Sequence, residues 1–217
     1  MRVLVTGSSN GIGKSIARKF LDEGHIVVGF DIEKSTISHE NYTHFLVDVS
    51  LPDLFPYFEE PFDIVINNAS TNDPDDALVV NIKGYMNVTE KYVLGNPNLY
   101  SALYIASQSA RNGNDLPMYA ATKGANVTYM KWVARQVAPN ATCNSLSPGA
   151  VITNLNRHIL DDKALFNAVA NENLLKTWSS SIEIAEWAYF LTVVNKTATG
   201  ADFLVDAGEA DNYNFIW

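Results

Sequence analysis

The sequence predicts an α/β fold: a doubly wound parallel sheet in three layers, built as a single domain. Three observations predict it. Short apolar runs alternate with segments of helical period along the whole chain. The runs are apolar at consecutive positions, as in Val3-Leu4-Val5 and Ile64-Val65-Ile66, which implies burial on both faces by covering helices. The 217 residues, 47% hydrophobic and 18% charged, suit one large core and exclude a disordered or coiled-coil chain.

The elements follow in order. Val3 to Thr6 is the first strand, and Ile12, Ile16, Ala17 and Phe20 recur at helical spacing after it. Gly24 ends that helix, and Ile26 to Phe30 is a second strand. Phe45 to Val47 and Ile64 to Ile66 are expected as strands three and four, Leu78 to Val93 as a helix, and Ala102 to Ala106 as strand five. Met118 to Val137 reads as a long helix, Ala141 to Leu146 as strand six, Glu183 to Val194 as a helix and Phe203 to Val205 as the closing strand. No composition break divides the chain, so residues 1–217 are expected to form one domain. Its least regular part, about 150–181, is polar and partly helical. In such a fold ligands bind at the carboxyl ends of the strands.

Charge and cysteine usage narrow the partners. Fifteen Lys and Arg against 24 Asp and Glu give a net charge of -9, which repels a phosphate backbone and argues against a nucleic-acid partner. No apolar run approaches the ~20 residues of a membrane helix, so no membrane partner is expected. Cys143 is the single cysteine; it forms no internal disulfide, and a metal site would need further ligands. The chain passes from Met1 through a short apolar stretch into a glycine loop, so no secretory leader is expected. A cytoplasmic setting is expected.

Thr6-Gly7-Ser8-Ser9-Asn10-Gly11-Ile12-Gly13 lies between the first strand and the first helix. Glycine allows close backbone approach there, and the free N–H groups and dipole of the helix favour a pyrophosphate. Asp31 closes the second strand, where a carboxylate binds ribose hydroxyls and repels a 2′-phosphate; the bland reading is a solvated acid or a cap for the next segment. Position 10 is Asn, not a basic residue, and no Lys or Arg follows Asp31 before Lys34. The cofactor is therefore expected to be NAD rather than NADP. On the long helix, Tyr119 and Lys123 share a face. A lysine ammonium beside a phenol favours the tyrosinate and should lower Tyr119 from its reference of about 10. By itself this spacing is common on amphipathic helices.

Taken together these motifs resemble the short-chain dehydrogenase/reductase family, in its compact branch. The glycine loop matches TGxxxGxG, Asn67-Asn68-Ala69-Ser70 resembles NNAG, and Tyr119-Ala120-Ala121-Thr122-Lys123 matches YxxxK. Ser147-Pro148-Gly149 with Val151 and Thr153 resembles the PG element, and Gly200 to Gly208 the closing strand. The resemblance spans nearly the whole chain and implies a Rossmann fold. It implies a catalytic set of Asn81, Ser107, Tyr119 and Lys123. Ser107 would hold the substrate oxygen beside Tyr119, with Ser109 a nearby competitor. Asn81 would anchor a water leading protons away from Lys123, or make a structural hydrogen bond between helix and strand. The implied cofactor residues are Gly7, Ser9, Asn10, Gly11, Ile12, Gly13, Asp31, Asp48, Val49, Asn68, Ala69, Ser70, Pro148, Gly149, Val151 and Thr153, joined by Tyr119 and Lys123. Asp48 has an alternative role as a cap for the turn after strand three.

The implied activity is reversible hydride transfer between NAD and a secondary alcohol or ketone. A non-catalytic nucleotide sensor or scaffold with the same fold is the alternative; retention of Asn81, Ser107, Tyr119 and Lys123 argues against it. The implied assembly is a homodimer or homotetramer. The sequence departs from the family between Asn68 and Asn81, which is shorter by about three turns of ~3.6 residues. It also carries Ser70 and Ala207 where the family has glycine. The substrate loop falls around Asn154 to Thr177 and holds Leu155, Ile159, Leu160, Leu165, Phe166, Leu174 and Leu175, followed by Trp178. These side chains are expected to pack helices or to line a moderately apolar pocket.

Overall fold

The computed structural model describes residues 1–153 and 156–212. Seven strands form one parallel sheet: β1 (Arg2–Thr6), β2 (Ile26–Asp31), β3 (Tyr42–Leu46), β4 (Ile64–Asn67), β5 (Ser101–Ile105), β6 (Thr142–Pro148) and β9 (Asp202–Val205). Their order across the sheet is β3-β2-β1-β4-β5-β6-β9. A second, two-stranded parallel pair joins β7 (Val151–Ile152) to β8 (Ser179–Ser180). Successive residues of β1 face opposite layers. Val3 and Val5 pack with Ile16, Phe20, Ile184 and Ala188, while Leu4 packs with Val65, Tyr85, Val88 and Met130. One layer therefore holds α1 (Gly11–Asp22) and α7 (Ser181–Tyr189), and the other α2 (Tyr85–Tyr92) and α4 (Pro117–Val137). Each fully buried aliphatic or aromatic side chain contributes about 1.5–3 kcal/mol. The two apolar faces are what bind the layers.

The ends of these helices follow local chemistry. Pro117 begins α4, where its missing N–H costs nothing. Ser180 and Glu183 form a reciprocal capping box at the start of α7. Two helical stretches run as π-helix: Leu78–Gly84 leads into α2, and Phe190–Val194 continues α7.

Most strands fall within a residue or two of the sequence expectation. The third does not: it is Tyr42–Leu46 rather than Phe45 to Val47. Half-burial explains the displacement. β3 is an edge strand, and its Tyr-Thr-His-Phe-Leu run carries little of the apolar pattern that marks buried strands. The irregular stretch contains α5 (Arg157–Leu160) and α6 (Lys163–Ala170), and a further single-turn helix, α3 (Ser109–Asn112), follows β5. No helix among the described residues is long and apolar enough to cross a membrane. The chain order reverses between β1 and β4, and the loops leaving the carboxyl ends of these strands diverge there to open a cleft.

Candidate active site

The cleft has a volume of about 610 Å³ and runs from the glycine loop to the start of α4. At its first end, Gly7 turns with φ 68° and its N–H bonds Phe30 O at 2.7 Å. A Cβ on Gly13 would stand 2.0 Å from Gly7 O and 2.5 Å from Asn68 Nδ2, so only glycine lets the first turn of α1 rest on the loop. Thr6 ties the opposite wall to this loop. Its Oγ1 accepts the N–H groups of Asn68 at 2.9 Å and Ala69 at 3.0 Å, while Asn68 Nδ2 donates to Thr6 O at 2.9 Å and to Gly7 O at 3.2 Å. In the sequence Thr6 stands out only as a member of the loop motif; in the fold its buried hydroxyl is the anchor that joins the two strand ends.

The N-terminus of α1 suits a phosphate group. It has no acid in its first turn, and the Asn10 side chain does not cap it. Asn10 Nδ2 donates instead to Glu33 Oε2 at 2.7 Å. The first N–H groups of the helix are thus left for a ligand. Gly11 presents no side chain into the cleft, and a Cβ there would meet Thr153 Cγ2 at 3.6 Å. Ile12 also lines the cleft, whereas Ser9 and Gly13 stand behind its wall.

Asp31 caps the segment that follows β2 and also stands on the cleft wall. Oδ2 accepts Ser9 N–H and Oδ1 accepts Glu33 N–H, each at 2.9 Å, and the residue still faces the cleft. Asp48 likewise caps its turn, accepting Ser50 N–H at 2.8 Å, and lines the cleft beside Val49. The free backbone donors, the glycine cradle and the acid at the end of β2 fit a dinucleotide.

The other end gathers hydroxyls and one amine. Ser107, from the end of β5, and Tyr119 and Lys123, from α4, line the cleft together. Lys123 is 2% exposed, donates to Ile105 O at 3.0 Å, and lies 5.3 Å from the Tyr119 ring centroid. Burial pushes this amine down to about 7, against a smaller opposing pull from Asp115. Burial also pushes the Tyr119 phenol up to about 12; the Asp115 charge adds to the rise, and Ser107 offsets part of it. The expected lowering of Tyr119 by Lys123 is therefore corrected: burial holds the phenol above its usual value, not below it. With its amine near 7, Lys123 is only about half protonated at pH 7 and carries less charge beside the phenol than an ordinary ammonium would.

Asn81 sits inside the π-helical turn, fully buried and outside the cleft lining. Its Nδ2 donates to Thr71 O at 2.9 Å and Thr122 Oγ1 at 3.0 Å; its Oδ1 accepts Thr71 N–H at 2.8 Å and the Ser70 hydroxyl at 3.1 Å. The amide is fully engaged, so its structural role is the one its side chain performs. It ties the shortened loop after β4 to α4. That loop supplies Ser70, Thr71, Asn72 and Asp76 to the cleft, and of these only Ser70 was among the expected site residues. The signal was present as the missing turns between Asn68 and Asn81.

Pro148, Gly149, Val151 and Thr153 line the cleft where β6 ends, with Asn156 beyond them. From the rest of the substrate segment no described side chain reaches it. Phe166 packs edge-on to Trp178 at 5.4 Å, and Leu174 and Leu175 are exposed. The apolar lining expected from this segment is therefore not made by these residues; Asn154 and Leu155 lie outside the described residues. Among the described residues, no three His, Cys, Asp or Glu side chains gather as metal ligands.

Residues 59–209 match a family model described as enoyl-(acyl carrier protein) reductase. A glucose 1-dehydrogenase of Gluconobacter oxydans is 26% identical over 95% of this chain and 91% of its own length. A 3-oxoacyl-[acyl-carrier-protein] reductase of Staphylococcus epidermidis is also 26% identical, over 94% of this chain and 97% of its own. A solved Agrobacterium tumefaciens structure with bound NADP is 26% identical, covers 96% of this chain and 95% of that one, and superposes with a TM-score of 0.84.

Proposed function

The chain belongs to the short-chain dehydrogenase/reductase family and is an NAD(P)-dependent oxidoreductase, and from that premise we propose that it uses NAD to interconvert an uncharged, polar secondary alcohol and its ketone. The observation that carries this reading is one continuous cleft, with a helix N-terminus free of side-chain caps and Asp31 at one end and Ser107, Tyr119 and Lys123 at the other. The bound nicotinamide supplies the site that gives or takes a hydride. Ser107 donates a hydrogen bond to the substrate oxygen and holds it beside the phenol. Tyr119 gives its proton to that oxygen during reduction and recovers it during oxidation. Lys123 stands behind the ring as an amine that gains or loses a proton near pH 7. Phenol and amine are close enough to titrate as a pair. Asn81 acts indirectly, by holding the loop at Thr71 against α4.

Charge supports both finer parts of the proposal. Asp31, Glu33, Asp48 and Asp76 line the cleft, and Lys123 is the one Lys or Arg among its described lining residues. A 2′-phosphate beside Asp31 would meet a carboxylate with no partner cation, which favours NAD. Lys123 is buried behind the Tyr119 ring and directs an N–H to Ile105 O, so it is poorly placed to pair with an anionic substrate. Ser70, Thr71, Asn72, Thr153 and Asn156 instead present neutral polar groups, which suit a sugar or polyol better than an acyl thioester on a carrier protein. A cytoplasmic setting and self-association as a dimer or tetramer belong to the same reading.

The test follows the absorbance of reduced nicotinamide with NAD or NADP and a panel of D-glucose, xylitol, cyclohexanol, D-gluconate and a 3-hydroxyacyl thioester. Turnover of neutral polyhydroxy alcohols with NAD is expected, and Asp31→Ala should narrow the preference for NAD over NADP by about tenfold, the factor carried by roughly 1.4 kcal/mol. Faster turnover of the thioester or gluconate would contradict the substrate reading. Binding of NAD with no turnover across the panel would favour the nucleotide sensor.

A further inference from the structure

We propose, on the reading of Ser107 and Tyr119 above, that Ser109 is a positioning residue that fixes Ser107 as a hydrogen-bond donor toward the reacting oxygen. Ser109 opens α3 and is 2% exposed. Its hydroxyl donates to Ser107 Oγ at 2.9 Å, and its backbone N–H donates to the same oxygen at 3.2 Å. A serine oxygen has two lone pairs and one proton. With both lone pairs taken by Ser109, the function left to Ser107 toward the cleft is to donate.

This sorts the roles of the two catalytic hydroxyls. An alcohol entering the cleft has a proton to give and finds no acceptor on Ser107, so the proton goes to Tyr119. A ketone or developing alkoxide has no proton to give, and its oxygen meets the Ser107 O–H. A hydroxyl that already accepts two hydrogen bonds is polarised into a stronger donor, which helps most when charge builds on the substrate oxygen. The arrangement is held from outside. Gln108 N–H bonds Pro148 O at 2.8 Å, joining the loop to the end of β6. Arg111, on the same turn as Ser109, pairs with Asp202 Oδ2 at 3.0 Å, and Asp202 Oδ1 accepts the Ser145 and Ser147 hydroxyls at 2.7 Å each. Ser109 is thereby kept from turning away from Ser107.

The experiment compares wild type, Ser109→Ala, Ser109→Thr, Ser107→Ala and Tyr119→Phe, using NAD with D-glucose or xylitol, whichever turns over faster. Ser109→Ala should lower kcat about tenfold, the factor carried by one net hydrogen bond, with KM changed less than about twofold. The midpoint of the kcat/KM profile should move up by about 0.5 in pH, because the phenolate loses part of a polarised donor. NAD affinity, read from quenching of tryptophan fluorescence, should be unchanged, and Ser109→Thr should recover most of kcat. Unchanged kcat and pH profile in Ser109→Ala would overturn the proposal. So would a kcat loss that comes with lost NAD affinity and a fall in Tm, since that is a structural effect. Full turnover in Ser107→Ala would overturn both this proposal and the role given to Ser107, whereas loss of turnover in Ser107→Ala and Tyr119→Phe with wild-type behaviour in Ser109→Ala would overturn the proposal alone.

Discussion

The two ends of the cleft are built in different ways. At the glycine-loop end the work is done by backbone: N–H groups at the start of α1, a positive-φ turn at Gly7, and carbonyls held by Asn68. Its geometry depends on which residues lack a side chain. The end proposed to be catalytic depends on side chains whose properties are set by burial. Tyr119 and Lys123 are an ordinary phenol and amine in sequence, yet burial moves one up to about 12 and the other down to about 7. A backbone site is written in glycine positions, while a tuned side-chain pair is written in everything packed around it.

Gly13→Ala probes the first end and has the larger expected effect on stability. The added methyl would stand 2.0 Å from Gly7 O, so α1 or the loop must shift. Overpacking of roughly 2–3 kcal/mol should lower Tm by about 5–10 °C for a domain of this size. NAD affinity should fall with it, as calorimetry would show. An unchanged Tm and NAD affinity would mean that the loop is not built on this close approach.

Lys123→Met probes the second end through pH, in the cofactor-free protein. The amine falls from an unfolded value near 10.5 to about 7 when folded. Between those values the unfolded chain binds a proton that the folded chain does not, so stability rises with pH across that window and is flat below it. Wild type should therefore gain roughly 2–4 °C in Tm per pH unit relative to Lys123→Met between pH 7.5 and about 10. Parallel curves would show that Lys123 stays charged when buried, which would restore the simpler expectation of an ammonium lowering the phenol.

The same contrast separates what could be read in the sequence from what could not. Val3-Leu4-Val5, Ile64-Val65-Ile66 and the helix at Ile12 to Phe20 declare themselves, because burial on two faces or one leaves a periodic record. β3 was displaced because an edge strand is half-exposed and keeps little of that record. Each of the two-residue strands β7 and β8 exists only because the other lies beside it. The glycine loop, Asp31, Ser107, Tyr119 and Lys123 were legible as residues in a spacing. The engagement of all four hydrogen-bonding positions of Asn81, the anchoring by Thr6, and the pairing of Ser109 with Ser107 were not, since each depends on residues brought together from separate elements or across a turn.

The proposed mechanism turns on Tyr119 as the group that moves the proton, with Ser107 and Lys123 assisting that transfer and the glycine-loop end of the cleft binding the cofactor. Tyr119→Phe removes one oxygen from an otherwise intact cleft, and its kcat with NAD and the best neutral alcohol, measured beside its NAD dissociation constant, separates the two functions. The account predicts a fall in kcat of about 10²–10⁴-fold with NAD affinity within about twofold of wild type. A variant that keeps its turnover would contradict the assignment of Tyr119.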